Sequence, residues 1–220
     1  PEKPLGVVSV CAGAGLADVF QNLGVDQIIS GGQTMNPSTQ DILEAVNKVP
    51  AETVFVLPNN KNIIMAAQQV DALTPKNVVV IGSKTVPQGV TAMLNFNPEG
   101  SVEENTQAMT DVLGSVETMQ ITYAARNSDF DGYDIHEGDY LAMDGKGLFG
   151  TSKDITVLLK GLAEKARDDG REFITIYYGA DTKEKHAQKA ADLFADICPN
   201  ADVNLINGGQ PVYYYMISAE

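Results

Sequence analysis

Short apolar runs alternate along this chain with segments whose apolar residues recur every three or four positions. Residues 6–10 form a run of the first kind, and Leu16, Val19, Phe20 and Leu23 then repeat at the spacing of one helical face. The same beat returns with Ile28 and Ile29 ahead of Ile42, Leu43, Val46 and Val49, and with residues 53–57, stopped by Pro58, ahead of Ile63, Ala67 and Val70. Residues 77–81 supply a fourth strand. Ser38, with Asp41 three residues later, marks a helix start, because the hydroxyl and the carboxylate can each accept a backbone N–H of the other. Strands apolar at successive positions and separated by helices predict a parallel sheet covered on both faces. The expectation is a first α/β lobe over residues 1–95.

Residues 88–100 are rich in Gly, Pro and Asn and read as a loop; Ser101 and Glu104 then open a helix carrying Met109, Val112, Leu113 and Val116. We read 96–118 as linker and connecting helix. Beyond it the pattern changes. Residues 119–125 alternate, and 138–149 hold two strand candidates around Asp144-Gly145, a hairpin signal. Ile155, Leu158, Leu159, Leu162 and Ala166 mark a helix, 173–178 a strand, Ala187, Ala190, Ala191, Phe194 and Ile197 another helix, and 203–206 a further strand. Residues 213–218 close the chain as a strand along which Tyr213, Tyr214 and Tyr215 alternate, with at least one ring facing outward. The second lobe, 119–220, should hold a mixed sheet with helices. Gly-Gly-Gln occurs twice, at 31–33 and 208–210, each time after a short apolar run, and two related lobes are the simplest reading.

With 220 residues, 44% of them hydrophobic, the chain can bury a substantial core. Its formal charge of -14 argues against a nucleic-acid footprint, which needs a surplus of Lys and Arg. No apolar run approaches the roughly 20 residues a membrane helix needs, and no signal peptide opens the chain, so a soluble cytoplasmic protein is expected. Cys11 and Cys198 read as two reduced, buried thiols. Pro1 in place of an initiator Met points to a piece of a longer protein.

Ligands of open parallel sheets gather outside the carboxyl ends of the strands. Four polar loops fall there, at 11–15, 31–39, 58–62 and 82–86. Gly31, Gly32, Gln33, Thr34, Asn36, Ser38 and Thr39 come from the second loop, Asn59, Asn60, Lys61 and Asn62 from the third, and Ser83 and Lys84 from the fourth. Together they offer hydroxyls, amides and helix-start N–H groups suited to a carboxylate, a phosphate or a partner surface. Singly, each also fits a plainer role, with Ser38, Asn59 and Asn60 as caps and the glycines as positive-φ residues. Lys84 and Arg126 stand near predicted strand ends, where a cation can receive an acidic ligand or serve as an ordinary surface charge.

Gly13 and Gly15 match the opening of a dinucleotide fingerprint, but Asp18 stands where its third glycine belongs and would repel a pyrophosphate. His136 lies among Asp131, Asp134, Glu137 and Asp139, where a metal would be sought, although this spacing specifies no ligand geometry. His186, beside Lys183, Glu184 and Lys185, sits on a solvated helix face. No Gly-x-Ser-x-Gly elbow appears and neither Cys has a catalytic signature, so no catalytic residue, metal or cofactor is assigned to the chain.

The stretches CAGAGLADVFQNLGVDQIISGGQTMNPST from Cys11, PNNKNI from Pro58 and GGQPVYYYMIS from Gly208 resemble the C-terminal domain of the bacterial fatty acid kinase A protein. The N-terminal domain of that protein is similar to the ATP-binding component of dihydroxyacetone kinase. The resemblance covers essentially the whole chain and implies a two-lobed, DegV-like α/β fold. It also implies that ATP and magnesium belong to a kinase domain outside this chain, while a separate DegV-like protein carries the fatty acid whose carboxylate is phosphorylated. DegV-like carriers grip that carboxylate between their lobes with hydroxyl residues of strand-end loops, to which Thr34, Ser38, Thr39 and Ser83 are the nearest matches by position. The resemblance thus implies a docking domain whose partner is a DegV-like fatty-acid-binding protein, with a homodimer as a further option. A self-standing module holding a fatty acid or small anion between the lobes is the alternative.

Overall fold

The computed structural model describes residues 2–32, 35–130 and 132–220. They form two compact units, Pro1–Val116 and Glu117–Glu220. In the first, β1 (Lys3–Cys11), α1 (Ala14–Asn22), β2 (Gln27–Ser30), α2 (Thr39–Lys48), β3 (Ala51–Leu57), α3 (Lys61–Gln68) and β4 (Asn77–Val80) alternate, and α4 (Val86–Leu94) and α5 (Val102–Asp111) follow. The four strands are parallel in the order β2-β1-β3-β4. Val8, Val10, Val54 and Val56 bury one face against Ile42 and Val46 of α2 and Ile63 and Ala67 of α3. Val7 and Phe55, at the intervening positions, are equally buried on the face where α1 and α4 lie. Covering on both faces is why these strands read as unbroken apolar runs.

Residues 88–94, read with 95–100 as a loop, instead complete α4, while 95–100 are turn and irregular as expected. Thr85 caps α4, its hydroxyl accepting from the Gln88 N–H at 3.2 Å, and Pro87 sits in the first turn, where its missing N–H has no partner to lose. The Ser101 hydroxyl accepts from the Glu104 N–H at 3.0 Å and so opens α5, which packs on α4 within the first unit.

The second unit comprises β5 (Glu117–Tyr123), β6 (Ser128–Phe130), β7 (Tyr133–Ile135), β8 (Tyr140–Asp144), β9 (Gly147–Ser152), α6 (Ile155–Asp168), β10 (Phe173–Tyr178), α7 (Glu184–Ile197), β11 (Asp202–Asn207) and β12 (Tyr215–Ala219). The main sheet runs β11-β10-β12-β5-β8-β9, parallel between β10 and β11 and antiparallel elsewhere. Leu158, Leu162 and Ala163 of α6 and Ala187, Ala190 and Phe194 of α7 pack on Ile174, Ile176 and Ile217 of this sheet. Asp144 closes the β8–β9 hairpin, its carboxylate accepting from the Lys146 N–H at 2.8 Å. The small hairpin of β6 and β7 has no periodic signal behind it.

The last strand begins later than its pattern predicts. Val212 takes φ 70° and the Tyr213 N–H donates to the Pro211 carbonyl at 2.7 Å, so Tyr213 and Tyr214 belong to a turn. Tyr215 is buried, while Tyr213 and Tyr214 are half-buried. Cys11 and Cys198 are free and buried. No described helix is long and apolar enough to cross a membrane.

Candidate functional site

In the first sheet the chain steps from β1 to β2 on one side and returns to β3 on the other, which opens a crevice between the carboxyl ends of β1 and β3. Asn59 fills it. The residue is 7% exposed and takes φ 56°, a left-handed conformation that Asn tolerates better than most residues. Its Nδ2 donates to Ser9 Oγ at 2.9 Å and to the Val10 carbonyl at 2.8 Å, while its Oδ1 accepts from Ser83 Oγ at 2.8 Å. Its backbone N–H donates to the same Ser83 hydroxyl at 3.1 Å. Helix α4 closes over this amide at Gly89, where a Cβ would lie 2.1 Å from Asn59 Oδ1. One side chain therefore ties together β1, the end of β3, the loop after β4 and α4. Ser9, hidden in an apolar run, and Gly89, which has the look of a helix breaker, are the residues sequence reasoning missed here.

Around this anchor the loops are held by local bonds. Asn60 caps α3, its Oδ1 accepting from the Asn62 N–H at 2.8 Å, and its Nδ2 donates to the Gly32 carbonyl at 2.8 Å. Gly31 and Gly32 have φ 149° and 99°, and the Gly32 N–H donates to the Met35 carbonyl at 2.8 Å. Ser38 Oγ accepts from the Asp41 N–H at 3.1 Å while Asp41 accepts from the Ser38 N–H at 2.9 Å. The hydrogen bonds from the Ser38 backbone and side chain hold the Asp41 carboxyl below its ordinary range. Thr39 Oγ1 donates to the Ala66 carbonyl at 3.2 Å, and the Lys84 N–H to Gln88 Oε1 at 2.7 Å.

Asn36, Lys61, Asn62 and Lys84 have exposed side chains. Met35 and Met65, 77% and 71% exposed, add two apolar groups to the loop after β2 and to α3. Gln33 and Thr34 lie outside the described residues. Arg126 belongs to the second unit, exposed after β5. The described part of the rim thus combines a fixed backbone with exposed amides, lysines and methionines.

The two Gly-Gly-Gln copies occupy equivalent places in topology, each ending an edge strand parallel to the one before it, β2 beside β1 and β11 beside β10. The second copy is a lock. Gln210 is 1% exposed, and its Nε2 donates to the carbonyls of Tyr177 at 2.9 Å and Tyr213 at 3.3 Å. A Cβ at Gly208 would fall 2.1 Å from Gln210 Oε1. Of the acidic residues near His136, Asp134 meets its Nε2 at 3.2 Å and Asp139 accepts from its backbone N–H at 2.9 Å; Asp131 is outside the described residues. No group of three or more His, Cys, Asp or Glu is placed to hold a metal among the described residues.

A doubly wound lobe joined to a mixed-sheet lobe is the DegV-like fold. The DegV family protein Cg2579 of Corynebacterium glutamicum superposes with a TM-score of 0.69 at 17% identity, over 99% of this chain and 97% of that one. The fatty acid kinase (Fak) B3 protein of Streptococcus pneumoniae, solved loaded with linoleic acid, gives 0.67 at 11% identity over 99% of both chains. Residues 6–220 match the C-terminal family of FakA-like proteins, those like the A component of fatty acid kinase, and the chain belongs to that family. Protein YloV of Bacillus subtilis is 41% identical over 219 residues, which is 100% of this chain and 40% of YloV. The chain thus spans about two-fifths of the length of the curated relatives it matches.

Proposed function

We propose that this domain docks an acyl-carrying DegV-like protein, so that a kinase domain elsewhere in the full-length cytoplasmic polypeptide can phosphorylate the fatty-acid carboxylate with ATP and magnesium. The observation that carries this reading is membership of the FakA-like C-terminal family by a chain that covers 40% of its relative YloV. No step of phosphoryl transfer is routed through residues of this chain. Its contribution is effective concentration, since holding the carrier beside the kinase makes delivery partly intramolecular. The rim of the first sheet has the composition of an interface: Met35 and Met65 as apolar anchors, and Asn36, Lys61, Asn62 and Lys84 as polar surroundings, on loops fixed by Asn59. The charge of -14 favours a basic patch on the partner. Removing this domain from the full-length protein should abolish acyl-phosphate formation from carrier-bound fatty acid while ATP still binds. Unchanged turnover of the loaded carrier would sink the proposal.

A further inference from the structure

Each of the two main sheets ends in two edge strands, and an edge left open is a template for another strand. Three of these edges are short or occupied. β2 has four residues. On β4 the outward Val78 N–H donates to Asp71 Oδ1 at 2.9 Å. Along β9 the Phe149 carbonyl accepts from the Tyr133 hydroxyl at 3.0 Å, and β7 lies against the strand. β11 differs. It pairs with β10 over six residues without a bulge. The Asp202 N–H donates to the Glu172 carbonyl at 2.8 Å and the Gly208 N–H to the Tyr178 carbonyl at 3.0 Å, which fixes the even-numbered residues as those that bond inward. The N–H and carbonyl groups of Val203, Leu205 and Asn207 therefore face away from the sheet, with no partner among the described residues.

Edge strands ordinarily carry a Lys, a Pro or a bulge that discourages pairing. From Val203 to Asn207 there is no charge and no Pro, in a chain whose overall charge is -14. That contrast points to a second copy of the chain as the occupant. Two such chains repel over most of their surfaces, and an uncharged strand is where they can meet, whereas a basic partner would be drawn to the charged stretches. Antiparallel pairing centred on Leu205 is the register that uses all three outward residues. Leu205 then meets its own copy, Val203 lies opposite the partner's Asn207, and Asn204 lies opposite the partner's Ile206. Asp202, the one charge of the strand, falls opposite the partner's Gly208, so no like charges are set against each other. Val203 and Leu205 already pack on the core of their own unit, which holds the strand in pairing geometry before a partner arrives.

We propose that β11 pairs antiparallel with β11 of a second copy, joining two six-stranded sheets into one across a two-fold axis at Leu205. The contact is confined to one strand from each copy and falls below the roughly 1,200 Å² that stable complexes bury, so the dimer is weak, with a Kd of about 100 µM. It belongs to the second unit and does not rest on carrier docking by the first. Sedimentation equilibrium of the 220-residue chain should show a monomer–dimer equilibrium that tightens as salt is raised, because screening removes the repulsion between two acidic chains. Amide exchange followed by NMR should slow at Val203, Leu205 and Asn207 as the chain is concentrated. Asn204 is exposed, and its two copies lie diagonally across the pairing, within reach of long side chains. Asn204→Lys and Asn204→Glu should leave the melting temperature in place and each weaken self-association about fivefold, while an equimolar mixture of the two recovers it. Asn207→Pro, which removes an outward N–H and spares the bonds to β10, should weaken it at least about tenfold. A chain monomeric up to about 1 mM, tenfold above that Kd, would overturn the inference. So would a dimer indifferent to all three substitutions, or charge variants that associate with each other no better than with themselves. Slowing of the three amides only on addition of purified carrier would assign the edge to the carrier and overturn it as well.

Discussion

Replacing Gly89 by alanine places a methyl 2.1 Å from Asn59 Oδ1 and 2.8 Å from its Cγ, so either α4 or the amide must move. In an uncrowded helix the exchange would be stabilising by about 1 kcal/mol. Here overpacking costs about 1–3 kcal/mol. Displacing the amide also strands the Val10 carbonyl and the Ser83 hydroxyl, at about 1–3 kcal/mol for each buried group left unpaired. The lower ends of these ranges leave a net loss of about 2 kcal/mol, and because movement of the amide relieves the overpacking the two costs are not both met in full, so the expected loss is about 2–4 kcal/mol. Asn59→Gly retains the left-handed backbone but removes the side chain, and its lost hydrogen bonds alone should destabilise by about 3 kcal/mol. In that background the alanine methyl enters the space the amide vacated, so Gly89→Ala should become neutral or slightly stabilising. Urea unfolding of the four proteins, followed by circular dichroism at constant m-value, completes the double-mutant cycle. A coupling of about 2–4 kcal/mol is expected, and effects that add to within about 0.5 kcal/mol would refute the clamp.

High pH should destabilise the fold. Burial pushes the Cys11 thiol from 9.0 to about 12, and burial, with Glu220 nearby, pushes the Tyr177 phenol from 10.0 to about 12. The unfolded chain loses these protons first, so the stability they contribute is complete below pH 9 and falls as pH rises toward 12; a flat profile between pH 8 and 11 contradicts the assignment. Asp41 behaves with the opposite sign, its contribution being present above the ordinary carboxylate range and lost as pH falls through its depressed value. Ser38→Ala removes the side-chain contribution and keeps the larger one from the Ser38 backbone N–H, so an NMR titration should show the depression reduced but not abolished, with a cost of about 1 kcal/mol for the lost helix cap. Lys165 links α6 to β5 through Glu117 at 2.7 Å and also meets Asp169 at 2.9 Å; Lys165→Met should cost about 1–3 kcal/mol, between the exposed-pair and buried-pair ranges, and a stability within error of the parent would refute the link.

Both-face burial explains how much of the fold was legible: Val7 and Val8, or Phe55 and Val56, face opposite layers and are all apolar, so the strands announced themselves. The misreadings share a cause. Gly89 resembles punctuation locally, yet it is there because the Asn59 amide, thirty residues earlier in the chain, needs the room. Tyr213 and Tyr214 alternate like strand residues, but the turn at Val212 and the close approach of Gly179, where a Cβ would lie 2.2 Å from the Tyr213 carbonyl, delay the strand to Tyr215. Ser38 and Asn60 carried cap signals that their hydrogen bonds match.

The most direct measurement is a calorimetric titration of this chain with a purified DegV-like fatty-acid carrier, once acyl-loaded and once stripped, repeated with a Lys61→Glu, Met65→Asp double variant. The account predicts saturable binding by the parent, weakened at least about tenfold in the variant, as for loss of an interface hot spot. An absence of heat together with no comigration on a sizing column, or a variant that binds as tightly as the parent, would contradict it.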